Sequence, residues 1–224
     1  MLTLTKAWRQ AYPGALVGVL AIHGAANPRT HAGLDRRKEA VEADLRARFG
    51  ELDRPALRAL PVMAAYAGYY RRFGKTYHVQ QQIESIAWKG KSVPGVAALV
   101  EAMFLAELQN GLLTAGHDLA TVEPPVRVDV AQGSEVYRCL NGKEQVLKEG
   151  DMYIADAQGV LSSILYGPDD RTQIRPETER VLFTVYAPAG IEAPAVRRHL
   201  KDIRDYVRLV APEAEVVILD VLGA

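Results

Sequence analysis

AALVEAMFLAELQNGLLTAGHD, residues 97–118, decides how this chain is to be read. Apolar residues run from Ala97 to Leu108 with few interruptions, too long for an ordinary strand, and mark a core helix. Gly111 stops that helix, because glycine adopts the left-handed conformation on which helices end. After it the residues predict a short turn that sets His117 and Asp118 at the mouth of a site. The stretch taken alone describes a core helix leading into a site and names no substrate.

Working outward, the upstream half is helical in texture. Residues 3–12 predict a short helix that ends before Pro13-Gly14, and LVGVLAIHG (16–24), rich in branched apolar side chains, predicts a buried strand. LDRRKEAVEADLRARF (34–49) places Leu34, Ala40, Val41, Leu45 and Phe49 at helical spacing, with Arg36, Arg37 and Lys38 as its solvated face. A short extended piece over 58–63 and helices over 64–74 and 77–88 follow. Downstream the texture changes. Segments 126–131, 135–140, 151–157, 160–167 and 181–188 are short and β-rich, with Asn141-Gly142 as a hairpin turn. A helix over 195–210 and a strand over 214–222 close the chain, the strand expected to pair with 16–22. Helices followed by a run of strands predict an α+β fold with a mainly antiparallel, sandwich-like sheet.

Composition bounds the rest. Among 224 residues, 27 Lys and Arg balance 27 Asp and Glu, so no global field points to nucleic acid or membrane. Cys139 is the only cysteine, which excludes an internal disulfide and fits a reducing compartment. No apolar run near the start is long enough to span a bilayer or shows a cleavage signal, so a cytoplasmic protein is expected. Oligomeric state is not legible.

Strong catalytic signatures are missing: no nucleophile elbow, phosphate loop, paired-histidine zinc helix or paired-cysteine site occurs. No cofactor or metal is therefore expected. His23, His31, His78, His117 and His199 are scattered. His199, among Arg197, Arg198 and Lys201, is expected at the surface. His117 is better placed, with Asp118 beside it as a carboxylate able to fix its tautomer. The polar loop GPDDRTQIRPET (167–178), with Asp170, Arg171 and Thr172, suits substrate positioning, or is a solvated turn held by Asp–Arg pairing. Of Ser162 and Ser163, one is expected to point inward, since strand neighbours face opposite ways. Between Arg54 and Lys91 seven basic residues stand against one acid, Glu84, interleaved with Tyr66, Tyr69, Tyr70, Tyr77 and Trp88. Charge beside aromatic faces is the composition that tracks a phosphate backbone and stacks bases; a solvated face over core tyrosines gives the same pattern.

The succession LVEAMFLAELQNGLLTAGHDLATV, then LNGKEQVLKEGDMYIADAQGVLSSILYG, then RTQIRPETERVLFTVYAP, resembles the tRNA-editing domain of the bacterial phenylalanyl-tRNA synthetase beta subunit, and more so the stand-alone proteins related to it. The resemblance covers about residues 60–191. In that family the domain binds a mischarged tRNA 3′ end and hydrolyses the ester to a wrong amino acid, notably tyrosine. Its helix acid falls on Glu101, while its Thr-Asn pair falls on Met103-Phe104. Its segment carrying the editing histidine falls on Gly111 to Asp118, with Ala115 at the histidine position and His117 two residues on. Its Ile-Ala-Asp matches Ile154-Ala155-Asp156, its glycine-rich segment with a substrate-reading glutamate becomes Tyr166 to Asp170, and its closing Glu-Thr-x-x-Val is Glu177 to Val181.

The resemblance implies a single domain over 1–224 with an editing-like core at 60–191, and additions at 1–59 and 192–224 packed on it. It implies a free-standing deacylase of mischarged tRNA, with the tRNA 3′ end as partner. His117 and Asp118 are the catalytic candidates. Glu101, Ser162, Asp170, Arg171 and Thr172 would line the pocket, and Arg71, Arg72, Lys75, Lys89 and Lys91 would hold phosphates. A non-catalytic RNA-binding module and an amino-acid enzyme or sensor are the alternatives.

Overall fold

The computed structural model describes residues 2–223. Strand β1 (Leu2–Leu4) leads into helix α1 (Lys6–Ala11), strand β2 (Leu16–His23) and a helical run: α2 (Ala32–Phe49), α3 (Arg54–Ala59), α4 (Pro61–Arg71), α5 (His78–Ala87) and α6 (Ala98–Asn110). Strands follow: β3 (Thr114–Asp118), β4 (Val126–Val130), β5 (Val136–Arg138), β6 (Glu144–Val146), β7 (Met152–Ala155), β8 (Val160–Ser163), β9 (Gly167–Pro168) and β10 (Arg180–Ala187). Helix α7 (Ala193–Val210) and strand β11 (Glu215–Gly223) complete the chain. The α+β class with antiparallel sheets is as expected.

The strands form two sheets and a separate hairpin rather than one sheet. The first has the order β11-β2-β10-β3, the second β1-β4-β7-β8-β9, and β5 pairs β6. All pairings are antiparallel except β1 with β4. The last strand does lie along β2, as expected, from Glu215 opposite His23 to Gly223 opposite Leu16. β2 lies inside the sheet between β11 and β10, with α7 packed on it, and residues 17–22 are buried whichever face they point to, in keeping with their continuous apolar run. Helix α7 packs on β2 and β11, and α6 packs on α7.

Three local expectations give way. Residues 3–4 join β1 instead of a helix, which starts only after Thr5, whose hydroxyl accepts the Trp8 N–H at 3.1 Å. Residues 58–63 are helical rather than extended, with a break at Leu60 (ψ 136°), since Pro61 disfavours α geometry at the residue before it. The expected turn after Gly111 is instead strand β3, wholly buried and paired with β10 from Val185 opposite Thr114 to Val181 opposite Asp118. Its residues have little strand preference of their own; the long partner strand decides.

The corner between α6 and β3 is held by side chains. Gly111 takes φ +70°, and its N–H donates to the Glu107 carbonyl at 2.7 Å. Tyr66 and Tyr77 stack with ring centroids 4.2 Å apart. The Tyr77 hydroxyl donates to the Gly111 carbonyl, and the Tyr66 hydroxyl donates to the Tyr186 carbonyl while accepting the Leu113 N–H at 2.9 Å. Removing the Tyr66 hydroxyl leaves a buried N–H and a buried carbonyl unsatisfied. Tyr66→Phe is therefore expected to lower the unfolding free energy by about 1–3 kcal/mol, read from denaturant titration; an unchanged midpoint and slope would show that the corner is held elsewhere.

Candidate functional site

Helix α6 presents Val100, Met103, Phe104 and Glu107 along one stripe, the three- and four-residue spacing of a single helix face. That stripe walls a cavity of about 290 Å³, closed by Leu113 to Gly116 of the corner and β3, by Ser163 and Ile164 at the end of β8, by Gly167-Pro168, and by Gln173, Ile174 and Tyr186. Leu140, more than half exposed on the β5–β6 hairpin, overhangs it. Gly116 is needed for closeness: a Cβ there would lie 2.8 Å from Ile174 Cδ1 and 3.4 Å from Met103 Sδ. The lining is mostly apolar.

A second cavity of about 420 Å³ adjoins the first, and His78 and Phe104 line both. Gln81, Gln82 and Ser85 of α5 face it, with Lys91 and Ser92. Ile86, Val93, Pro94 and Leu108 complete its wall, so two mostly apolar chambers adjoin across an imidazole and a phenyl ring, the second with the larger set of polar side chains at its rim.

Glu107 is the polar group that sequence reasoning missed. It is buried, and its Oε1 accepts the Thr114 N–H at 2.6 Å. Burial, only partly opposed by that N–H, pushes its carboxyl up to about 8, so it is mostly neutral at pH 7. The signal was present: one acid spaced with Val100, Met103 and Phe104 on an otherwise apolar face. Glu101 turns away to α2, where Lys38 Nζ stands 2.7 Å from its carboxylate. Lys38 is accordingly not part of the solvated face expected of it.

Of the residues expected to line a pocket with His117, Ser162 and Thr172 meet its ring, behind the cavity. His117 is fully buried, Nδ1 against Thr172 Oγ1 at 2.8 Å and Nε2 against Ser162 Oγ at 3.3 Å. Ser162 Oγ lies 2.6 Å from the Tyr186 hydroxyl, and the Thr172 hydroxyl donates to Asp169. This chain of hydroxyls joins β3 and β10 of one sheet to β8 of the other. Burial, with the Arg171 guanidinium nearby, pushes His117 down to about 4, so it is neutral. Asp118 does not fix its tautomer, since strand neighbours point apart; its carboxylate accepts the Thr178 hydroxyl at 2.8 Å and the Ala120 N–H.

Arg171 pairs with Asp156 through both carboxylate oxygens at 3.0 Å. Burial works to raise Asp156, but N–H groups and Arg171 outweigh it and hold the carboxyl below the usual range. Asp170 is half-buried, 3.8 Å from Arg138. The 167–178 loop is thus a bonded wall, with only its start, Gly167-Pro168, and Gln173-Ile174 reaching the cavity. Ser162 and Ser163 are both buried, because both faces of β8 are covered. His199, expected at the surface, is fully buried with Nε2 2.6 Å from Thr114 Oγ1, and burial pushes it down to about 3.

The basic cluster divides. Tyr66, Tyr69, Tyr70 and Tyr77 are core residues and offer no ring to a base. Arg72 is spread over the rings of Tyr12, Tyr69 and Phe73, and Lys75 over Tyr166. Arg71, Lys89 and Lys91 are exposed. Arg71, Lys75 and Arg58 line a polar hollow on the side of α5 away from Lys91. No group of three or more His, Cys, Asp or Glu able to hold a metal occurs among the described residues, and no helix there is long and apolar enough to cross a membrane.

A family model described as the B3/4 domain matches residues 65–206, more than half of the sequence. The chain belongs to the B3/4 domain family. The matched region of this B3/4 protein runs from α4 to α7 and contains every wall of the first cavity. Among solved structures, an N-terminal fragment of the phenylalanyl-tRNA synthetase beta subunit from Pyrococcus horikoshii is similar, at 11% identity and a TM-score of 0.50 over 96% of this chain. The chain spans half the length of that fragment, and the likeness is one of fold. No curated protein matches the sequence.

Raised well above its ordinary value near 4.5, the Glu107 carboxyl keeps a proton in the folded state that the unfolded state loses. Stability from this group is full at low pH and is lost as pH rises towards 8. Glu107→Gln, which keeps the acceptor for Thr114, is expected to gain on the wild type by up to about 1.4 kcal/mol per pH unit across that window. Unfolding measured at several pH values checks this; parallel curves for the two proteins would place the proton elsewhere.

Proposed function

We propose that this B3/4 protein binds the aminoacyl 3′ end of a tRNA and hydrolyses its ester. The observation that carries the reading is the pair of adjoining cavities. The first chamber suits an amino-acid side chain, and the second, with the Gln81 and Gln82 amides, the Ser85 and Ser92 hydroxyls and the Phe104 ring set among apolar residues, suits the terminal adenosine, which stacks on apolar surface and bonds at its edges. Of the positions that the family resemblance assigns to the editing site, Met103, Phe104, Ala115 and Gly167 line the first chamber, whereas Glu101, Asp156 and Asp170 do not. Lys89 and Lys91 on one side of α5, and Arg71 and Lys75 on the other, supply phosphate contacts.

In this reading the ester lies at the wall shared by the two chambers, beside His78. An exposed imidazole there serves as general base for a water that the ribose hydroxyl and backbone groups help to orient. His117 and Asp118 do not touch the substrate; they hold the wall behind it. The alternative, RNA binding without turnover, draws support from Ala115 at the position of the family's histidine.

Purified protein incubated with tRNAs carrying different amino acids is expected to release an apolar or aromatic one above the uncatalysed rate. His78→Ala should slow this by about 10²–10⁴-fold. Lys91→Glu should weaken tRNA binding and reduce its salt dependence by about one counterion. Salt-sensitive tRNA binding with no ester loss for any amino acid would sink the hydrolytic reading and leave the binding module.

A further inference from the structure

Among the described residues, Glu107 is the one acid lining the first, mostly apolar chamber, and no lysine or arginine lines it. Among the described residues its carboxyl has a single donor, the Thr114 N–H on Oε1. The hydroxyls of Thr114, Tyr66, Tyr77 and Tyr186 have partners of their own. From β3, the Thr114 hydroxyl is engaged by His199 of α7, itself neutral through burial. From α4, the Tyr66 hydroxyl serves Tyr186 and Leu113, and from α5 the Tyr77 hydroxyl serves Gly111. From β10, the Tyr186 hydroxyl is bonded to Ser162. His78 is exposed at the rim.

A carboxyl in this setting has acceptor capacity directed at the chamber and no protein cation to meet it. Such a group stays neutral while the chamber is empty and ionises when a cation arrives, because an ion pair in an apolar site is strong once both partners are desolvated together. The complementary ligand carries a primary ammonium next to an apolar side chain.

We propose that Glu107 holds the α-ammonium of the amino acid, so that the chamber selects a free amino ester and rejects its N-blocked counterpart. This rests on reading the chamber as the amino-acid site. It adds that recognition is of the amine as well as of the side chain, and that binding expels the proton from Glu107.

The test uses four small probes on the full chain: L-phenylalaninamide and L-leucinamide, and 3-phenylpropanamide and 4-methylpentanamide, which have the same skeletons without the amine. The wild type is expected to bind each amine at least about tenfold more tightly than its deaminated partner at pH 7. That advantage should shrink by up to about tenfold on going to pH 6, where Glu107 gives up its proton less readily. Glu107→Gln should bind all four alike and without pH dependence, its affinity for the deaminated pair unchanged, which shows that the chamber is intact. No binding of any probe to the wild type, equal affinity for amine and deaminated partners, or an advantage that survives Glu107→Gln would each overturn the assignment. The two proposals fail separately. Amide selectivity without tRNA deacylation removes only the hydrolytic function, whereas hydrolysis of N-acetylated and free aminoacyl-tRNA at equal rates removes only the amine site.

Discussion

The closure of α6 onto β3 at Gly111 is the constraint on which the rest depends. A helix end leaves carbonyls without partners, and an edge strand leaves N–H groups without partners; both occur here within a few buried residues. Gly111 accepts a left-handed backbone that other residues resist. Tyr77 caps its carbonyl, Tyr66 bridges Leu113 to Tyr186, and the Glu107 carboxyl takes the Thr114 N–H. A glycine and three side chains, four residues in all, thus do for this corner what a continuing helix or a further strand would otherwise do.

One of those four residues also walls the cavity, and this ties stability to function. Glu107 fastens β3 through one oxygen while its carboxyl lines a mostly apolar chamber. The same burial that makes the fastening strong keeps the carboxyl protonated near neutral pH. Behind β3, the hydroxyls of Thr172, Ser162 and Tyr186 lock the His117 ring from both sides and bind the two sheets together. The wall facing the chamber is therefore rigid and its ionisable groups are neutral, which leaves Glu107 as the one acid there for an arriving cation to meet.

Much of the fold was legible. The stop at Gly111, the helix over 97–110, the strands at 16–23 and 180–187 and the pairing of the last strand with β2 follow from apolar periodicity and turn residues, which are local signals. The strand at 114–118 was not legible, because Thr-Ala-Gly-His-Asp has no strand pattern and becomes one only along β10. The candidate site was legible in part. Thr172, Ser162 and His117 do meet, while the wall that Met103 and Phe104 form was not read from the sequence. Their sidedness was hidden: whether His117 faces a cavity or a packed interior depends on what covers that face of β3, and a charged stretch of α7 hid His199 because α6 covers it from outside the local sequence.

By itself the sequence determined the class of fold, the order of helices and strands, and a neutral chain with a basic stretch on the α4–α5 region. Those properties arise from neighbours along the chain. Only the tertiary structure decided which acid enters the chamber, Glu107 rather than Glu101. Residues six apart on a helix point to different sides, and what lies on each side, Lys38 for one and an apolar cavity for the other, comes from elements distant in sequence.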